Sequence, residues 1–176
     1  MKNYFTTKRL CRAGIIAALY TAMTYAFAPF AFGPFQIRPA EALCILALIY
    51  PEAIPALTVG CALSNIASQF VFYDVLFGSL TTLVAAFISY LVGSKLKNIP
   101  LKLFLGGLFP VVLNAIVIPL IIVFLCGGYN GSAWVAYFTY MGSFLLTQSV
   151  WVYGLGVPLY FSVCRLKNNG LRFLAD

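Results

Sequence analysis

The 176-residue chain contains no histidine, and its acidic residues number four: Glu41, Glu52, Asp74 and Asp176. Without imidazole there is no histidine general base, no triad of the usual kind and no histidine-bearing zinc site. The five cysteines, Cys11, Cys44, Cys61, Cys126 and Cys164, are scattered without a C-x-x-C. They read as small core-filling thiols, and no metal is implied. The loop G-x-x-x-x-G-K-[ST] is also missing, which removes ATP hydrolysis by that route. Glu41 has Arg38 beside it rather than a second acid, so paired-carboxylate catalysis has no candidate and no catalytic residue is assigned. Charge of either sign is scarce: 9% of residues are charged and 62% hydrophobic, with a mean hydropathy of +0.97. A soluble domain of this size needs more charge to cover its surface, so the composition predicts an integral membrane protein.

What is present is a series of apolar segments with short polar joints. Six can be read: Leu10–Ala28, Pro39–Tyr50, Ala53–Phe72, Asp74–Gly93, Leu103–Cys126 and Ala133–Cys164. They predict an all-α membrane protein with one transmembrane domain over residues 1–176 and no separate soluble domain. The first segment, on the order of 29 Å long at 1.5 Å per residue, is enough to cross the hydrocarbon core. Its basic start and full length read as an uncleaved first helix rather than a signal peptide. Ala13, Gly14, Ala17, Ala18 and Ala22 lie on it in steps of four. Small residues so spaced let another helix approach closely, whether inside the bundle or on a separate subunit.

Basic residues gather in three places: Lys2, Lys8, Arg9 and Arg12 at the start, Lys95, Lys97 and Lys102 in the fourth joint, and Arg165, Lys167 and Arg172 at the end. With six spans all three fall on one side, which the positive-inside rule makes the cytoplasm, together with both termini. The net charge of +7 therefore reports topology, and no nucleic-acid partner is expected.

The other side collects the polar residues. The stretch Gly33–Ala42 holds Gln36, Arg38 and Glu41 beside a segment too short to span alone unless Phe35–Arg38 also enter the membrane. A charge at that depth costs about 2.5–3.5 kcal/mol on insertion scales, so such residues face a cavity or a neighbour. Arg38 and Glu41 either neutralise one another or serve a ligand. Asn65 and Gln69, four apart, should share one helical face. Asp74 opens the fourth helix, either as a cap or as a ligand contact. Asn114, Trp134, Tyr137 and Gln148 complete the set. Aromatic faces stack planar rings, amides offer paired edges, and a carboxylate recognises an amino-amidine edge or an ammonium. The combination suggests a flat polar heterocycle, against the alternative that Tyr and Trp sit where membrane interfaces always enrich them.

These features resemble the substrate-binding S components of energy-coupling factor transporters, and within them the QueT family. The resemblance rests on Gln36-Ile-Arg38-Pro-Ala-Glu41-Ala-Leu43, Gly60-Cys-Ala-Leu-Ser-Asn65 and Asp74-Val-Leu-Phe-Gly78-Ser79-Leu-Thr81-Thr82-Leu83, with Asn114 and Gly154-Leu-Gly156-Val-Pro158 in agreement. It implies a plasma-membrane protein that is not an enzyme and needs no cofactor. Such a protein captures a queuosine precursor (queuine, queuosine or another 7-deazaguanine) from outside. It implies docking by the first helix onto a transmembrane coupling subunit carrying two ATPases, and Glu41, Asn65, Asp74 and Asn114 as leading ligand contacts. An acid is expected near Gln148; the amide there implies a preference for queuine or queuosine over the aminomethyl base. The alternatives are an S component for a flavin or pyridoxine-like solute, and a small intramembrane enzyme or scaffold.

Overall fold

The computed structural model describes residues 6–32, 36–127 and 131–169. Lys2, Gly33, Phe35, Arg172 and Asp176 lie outside the described residues. Regular structure among the described residues is entirely helical. Helix α1 is Thr7–Ala26, followed by a single turn at Ala28–Ala31. Then come α2 (Pro39–Leu48), α3 (Ala53–Ala67), α4 (Val71–Lys95), α5 (Ile99–Leu125) and α6 (Ala133–Asn168). Helices α4, α5 and α6 are long and apolar enough to cross a membrane. Helix α1 has 20 residues but carries Lys8, Arg9 and Arg12 in its first two turns, while α2 and α3 are shorter apolar helices. Length and composition thus make three spans plain where six were predicted.

The centre of the bundle is α2, a 3-10 helix in which all ten residues are buried. At about 2.0 Å per residue such a helix reaches roughly 20 Å, against roughly 15 Å for the same residues wound as an α-helix. A short segment therefore penetrates further than its residue count suggests. Its neighbours reach its backbone through glycines. A Cβ on Gly93 of α4 would lie 2.8 Å from Leu48 Cα, and one on Gly156 of α6 would lie 3.1 Å from the Ala42 carbonyl oxygen. Gly106 of α5 faces the Leu48 side chain, and Ser89 Oγ donates to its carbonyl at 2.7 Å, tying α4 to α5.

The small-residue steps on α1 divide between two faces. Ala13 and Ala17 pack against the central apolar cluster, and a Cβ on Gly60 of α3 would sit 3.3 Å from Ala17 Cα. Gly14, Ala18 and Ala22 point outward. Between α1 and α3 runs an apolar groove of about 450 Å³, lined by Leu10, Ala13, Gly14, Ala17, Pro55 and Val59 among others, with Arg9 and Glu52 as its charged residues. At the same end Arg12 Nε lies 2.9 Å from Glu52 Oε1. The contact is ionic, without the alignment of a good hydrogen bond. The Arg12 guanidinium also stands 4.6 Å over the Tyr50 ring, and Lys167 Nζ 5.8 Å from it. This cluster joins α1, the α2–α3 turn and α6.

Two sequence expectations fail at the α3–α4 joint. The third helix does not run on to Phe72: it tightens to a 3-10 turn at Asn65–Ala67, and Ser68 is extended at ψ 154°. Asn65 is consequently buried while Gln69 is exposed, so they share no helical face. Asp74 does not open α4 either. The helix starts at Val71, the Asp74 N–H is already bonded to the Phe70 carbonyl at 2.9 Å, and a π-helical turn begins at Asp74. The capping explanation for this acid is thereby removed.

Candidate functional site

Where α2 begins, a small cleft lies among five helices. Gln36, Arg38 and Glu41 come from α2 and the chain entering it, Cys61 from α3, Gly78 and Thr82 from α4, Asn114 and Ile118 from α5, and Phe144 and Gln148 from α6. Glu41 is its charged floor, 2% exposed. Three donors hold the carboxylate. Tyr20 Oη donates to Oε1 at 2.6 Å, while Cys44 Sγ and Asn114 Nδ2 each donate to Oε2 at 3.3 Å. The 3-10 winding explains the thiol: residues three apart eclipse one another, which stacks Cys44 on Glu41.

Arg38 is not the partner of this carboxylate. Its Nε donates to the Ala31 carbonyl at 3.1 Å, and its guanidinium lies 5.0 Å over the Phe32 ring. The pair contributes opposite charges to one cleft without forming an ion pair. Gln36 enters the cleft from a left-handed backbone at φ 41°. A non-glycine residue there costs on the order of 1–3 kcal/mol, a strain that concentrates at functional sites. Gln148, 3% exposed, turns a buried Oε1 into the structure with no donor to meet it. Buried amide oxygens without a protein partner are rare, which marks this one as a candidate contact.

The open space at the centre is about 10 Å³, enough for a single water. Pockets for drug-sized ligands span ~300–1,000 Å³, so the cleft is closed to a ligand of that size unless side chains move apart.

Five of the residues singled out in the sequence therefore meet in one place: Gln36, Arg38, Glu41, Asn114 and Gln148. Asn65 and Asp74 stand behind the cleft wall. The Asn65 amide donates to Cys61 Sγ at 3.4 Å and to the Asp74 carbonyl at 2.8 Å, and a Cβ on Gly78 would lie 2.7 Å from its nitrogen. Gln69, Trp134 and Tyr137 lie away from the cleft. Trp134 is 63% exposed and packs with Phe124 and Phe138, and Tyr137 joins the same aromatic layer. That is how aromatics sit at a membrane interface.

Tyr20 and Phe144 were missed. Arg12, Ile16, Tyr20 and Thr24 form the buried stripe of α1, and a tyrosine on it was the available signal. Tyr20→Phe leaves a buried carboxylate oxygen short of its strongest donor. The expected cost to the ligand-free protein is about 1.5–3 kcal/mol, read as a lower midpoint of thermal unfolding in detergent.

Comparison with known proteins finds a match to the family model described as QueT transporter over residues 10–165. No curated protein and no solved structure matches.

Proposed function

The chain belongs to the QueT transporter family, and from that premise we propose that it is the substrate-binding S component of an energy-coupling factor importer for a queuosine precursor. The observation that carries this reading is a buried carboxylate, Glu41, sharing one cleft with the unpaired Gln148 Oε1. A ligand entering there brings N–H groups to Gln148 Oε1 and to a carboxylate that Tyr20, Cys44 and Asn114 already hold in place. The amino-amidine edge of a 7-deazaguanine offers adjacent N–H donors to a carboxylate in the bidentate manner. Arg38, Gln36 and Asn114 are positioned to meet its carbonyl and ring nitrogens, and Phe144 supplies an apolar face. Asn65 and Asp74 support the wall, while Trp134, Tyr137 and Gln69 are not assigned contacts.

In this reading six helices cross the plasma membrane, with both termini and the Arg12–Glu52–Tyr50 cluster on the cytoplasmic side. The outward residues Gly14, Ala18 and Ala22, and the groove beside them, receive the coupling subunit that carries two ATPases. Gly14 has open space around a built Cβ, so Gly14→Leu leaves the bundle intact. The variant is expected to bind ligand as wild type does and to lose co-purification with the coupling subunit. Unchanged co-purification would exclude this face.

The substrate assignment is tested by native mass spectrometry of the detergent-purified protein. Queuine, the cyano- and aminomethyl-deazaguanines and queuosine are each titrated, with riboflavin and pyridoxine as controls. A saturable one-to-one complex with a deazaguanine is expected. Binding of riboflavin or pyridoxine alone would keep the S-component architecture and discard the queuosine assignment.

A further inference from the structure

Of the three described acids, two have basic company: Glu52 pairs with Arg12, and Glu41 shares its cleft with Arg38. Asp74 has none, although it is 96% buried by its 4% exposure. Its Oδ2 accepts from Ser68 Oγ, and its Oδ1 is buried with no donor. Beside it Asn65, 1% exposed, spends its amide N–H groups on Cys61 and on the Asp74 main-chain carbonyl, leaving its own Oδ1 buried and unpartnered. Two orphaned acceptors therefore lie on neighbouring buried residues, joined by the Asn65 amide to Asp74 carbonyl bond, where α3 has ended and α4 passes through its π-helical turn. Burying acceptors together without a donor or cation is costly, and an uncompensated carboxylate in an apolar bundle more so.

We propose that the α3–α4 joint binds one sodium-sized monovalent cation through Asp74 Oδ1 and Asn65 Oδ1. The donor atoms are hard oxygens, which select alkali or alkaline-earth ions over transition metals. A single carboxylate balances one charge, whereas calcium sites gather several carboxylates and six to eight oxygens. Interrupted helices supply cation sites of this kind in membrane proteins, because unwound backbone frees carbonyl groups. The Asn65 amide has so little room that a Cβ on Gly78 would stand 2.7 Å from its nitrogen, and its N–H bonds the Asp74 carbonyl, which favours the smaller ion.

The joint is also the back wall of the cleft, since Cys61 and Gly78 line the cleft and both touch Asn65. An ion that fixes the Asn65 amide holds that wall in place. Cation and ligand then stabilise one another, and the coupling is reciprocal, typically about 5–150-fold.

The test uses the full-length protein without ligand, so its outcome does not depend on the substrate assignment. Thermal unfolding is followed in NaCl, KCl and choline chloride at equal ionic strength, and 22Na+ binding is measured directly. Sodium is expected to raise the midpoint by several degrees over choline (~100-fold excess over Kd gives a shift of this order). Saturable 22Na+ binding, lost in Asp74→Asn, is expected with it. The direct binding measurement on wild type decides the matter even where the variant fails to fold. Equal midpoints in the three salts with no saturable 22Na+ binding would overturn the site, as would a midpoint that tracks pH alone.

Discussion

Glu41→Gln is expected to weaken deazaguanine binding by about 100-fold or more while leaving the protein folded. The carboxylate is 2% exposed and accepts three hydrogen bonds. The amide that replaces it keeps the shape but loses the charge, and turns one acceptor oxygen into an NH2 donor. That donor faces Cys44 and Asn114, which are donors themselves, and it can no longer receive a second N–H from the ligand. Removing one partner of a buried, hydrogen-bonded charged contact costs about 2–5 kcal/mol, and each 1.4 kcal/mol is tenfold in affinity. Tyr20 can still donate to the remaining oxygen, which is why expression and elution profile should hold. Titration of wild type and variant in the same detergent separates the outcomes. Unchanged affinity would take Glu41 out of the site, and loss of folded protein would mean that its role is to hold α1, α2 and α5 together.

The second large effect is on stability and lies at the other end of α2. Gly93→Ala places a methyl group against the Leu48 backbone, 2.8 Å from its Cα. Backbone cannot rotate aside as a side chain does, and the Leu48 side chain is itself packed against Gly106 of α5. Overpacking costs typically 1–3 kcal/mol, more where nothing yields, so a loss of about 3 kcal/mol is expected. For a chain of this size each kcal/mol moves the midpoint by roughly 2–4 °C. Gly14→Ala is the control, because nothing lies within 4 Å of its built Cβ. Alanine is the better helix former by about 1 kcal/mol, so that variant should be neutral or slightly stabilised. Equal midpoints for Gly93→Ala and wild type would contradict the central packing of α2.

Hydropathy made the class and the order of the helices legible, because both depend on summed composition over long windows. It also brought Gln36, Arg38, Glu41, Asn114 and Gln148 forward, since a polar side chain in an apolar segment needs an explanation. What it could not convey was the winding. The prediction for Gln69 assumed 3.6 residues per turn through a stretch that tightens at Asn65 and leaves the helix at Ser68. The prediction for Asp74 assumed a helix start three residues late. Tyr20 was overlooked because Arg12, Ile16, Tyr20 and Thr24 repeat every four residues, as do Gly14, Ala18 and Ala22. The same period marks the buried and the exposed faces of α1, and sequence alone does not say which is which. Trp134 and Tyr137 pack in an aromatic layer away from the cleft, the placement that membrane interfaces also favour, and composition does not separate the two roles.

The central claim is that the closed cleft at the start of α2 opens to admit a flat heterocycle onto Glu41. A cryo-electron microscopy or crystal structure with a bound deazaguanine tests it most directly. The expected result is a ring whose N–H edge lies about 2.7–3.2 Å from the Glu41 carboxylate, with Gln148 Oε1 accepting another N–H and Phe144 displaced to make room. A ring found elsewhere, between Trp134 and Tyr137 for instance, with the Tyr20, Cys44 and Asn114 bonds to Glu41 unchanged, would contradict it.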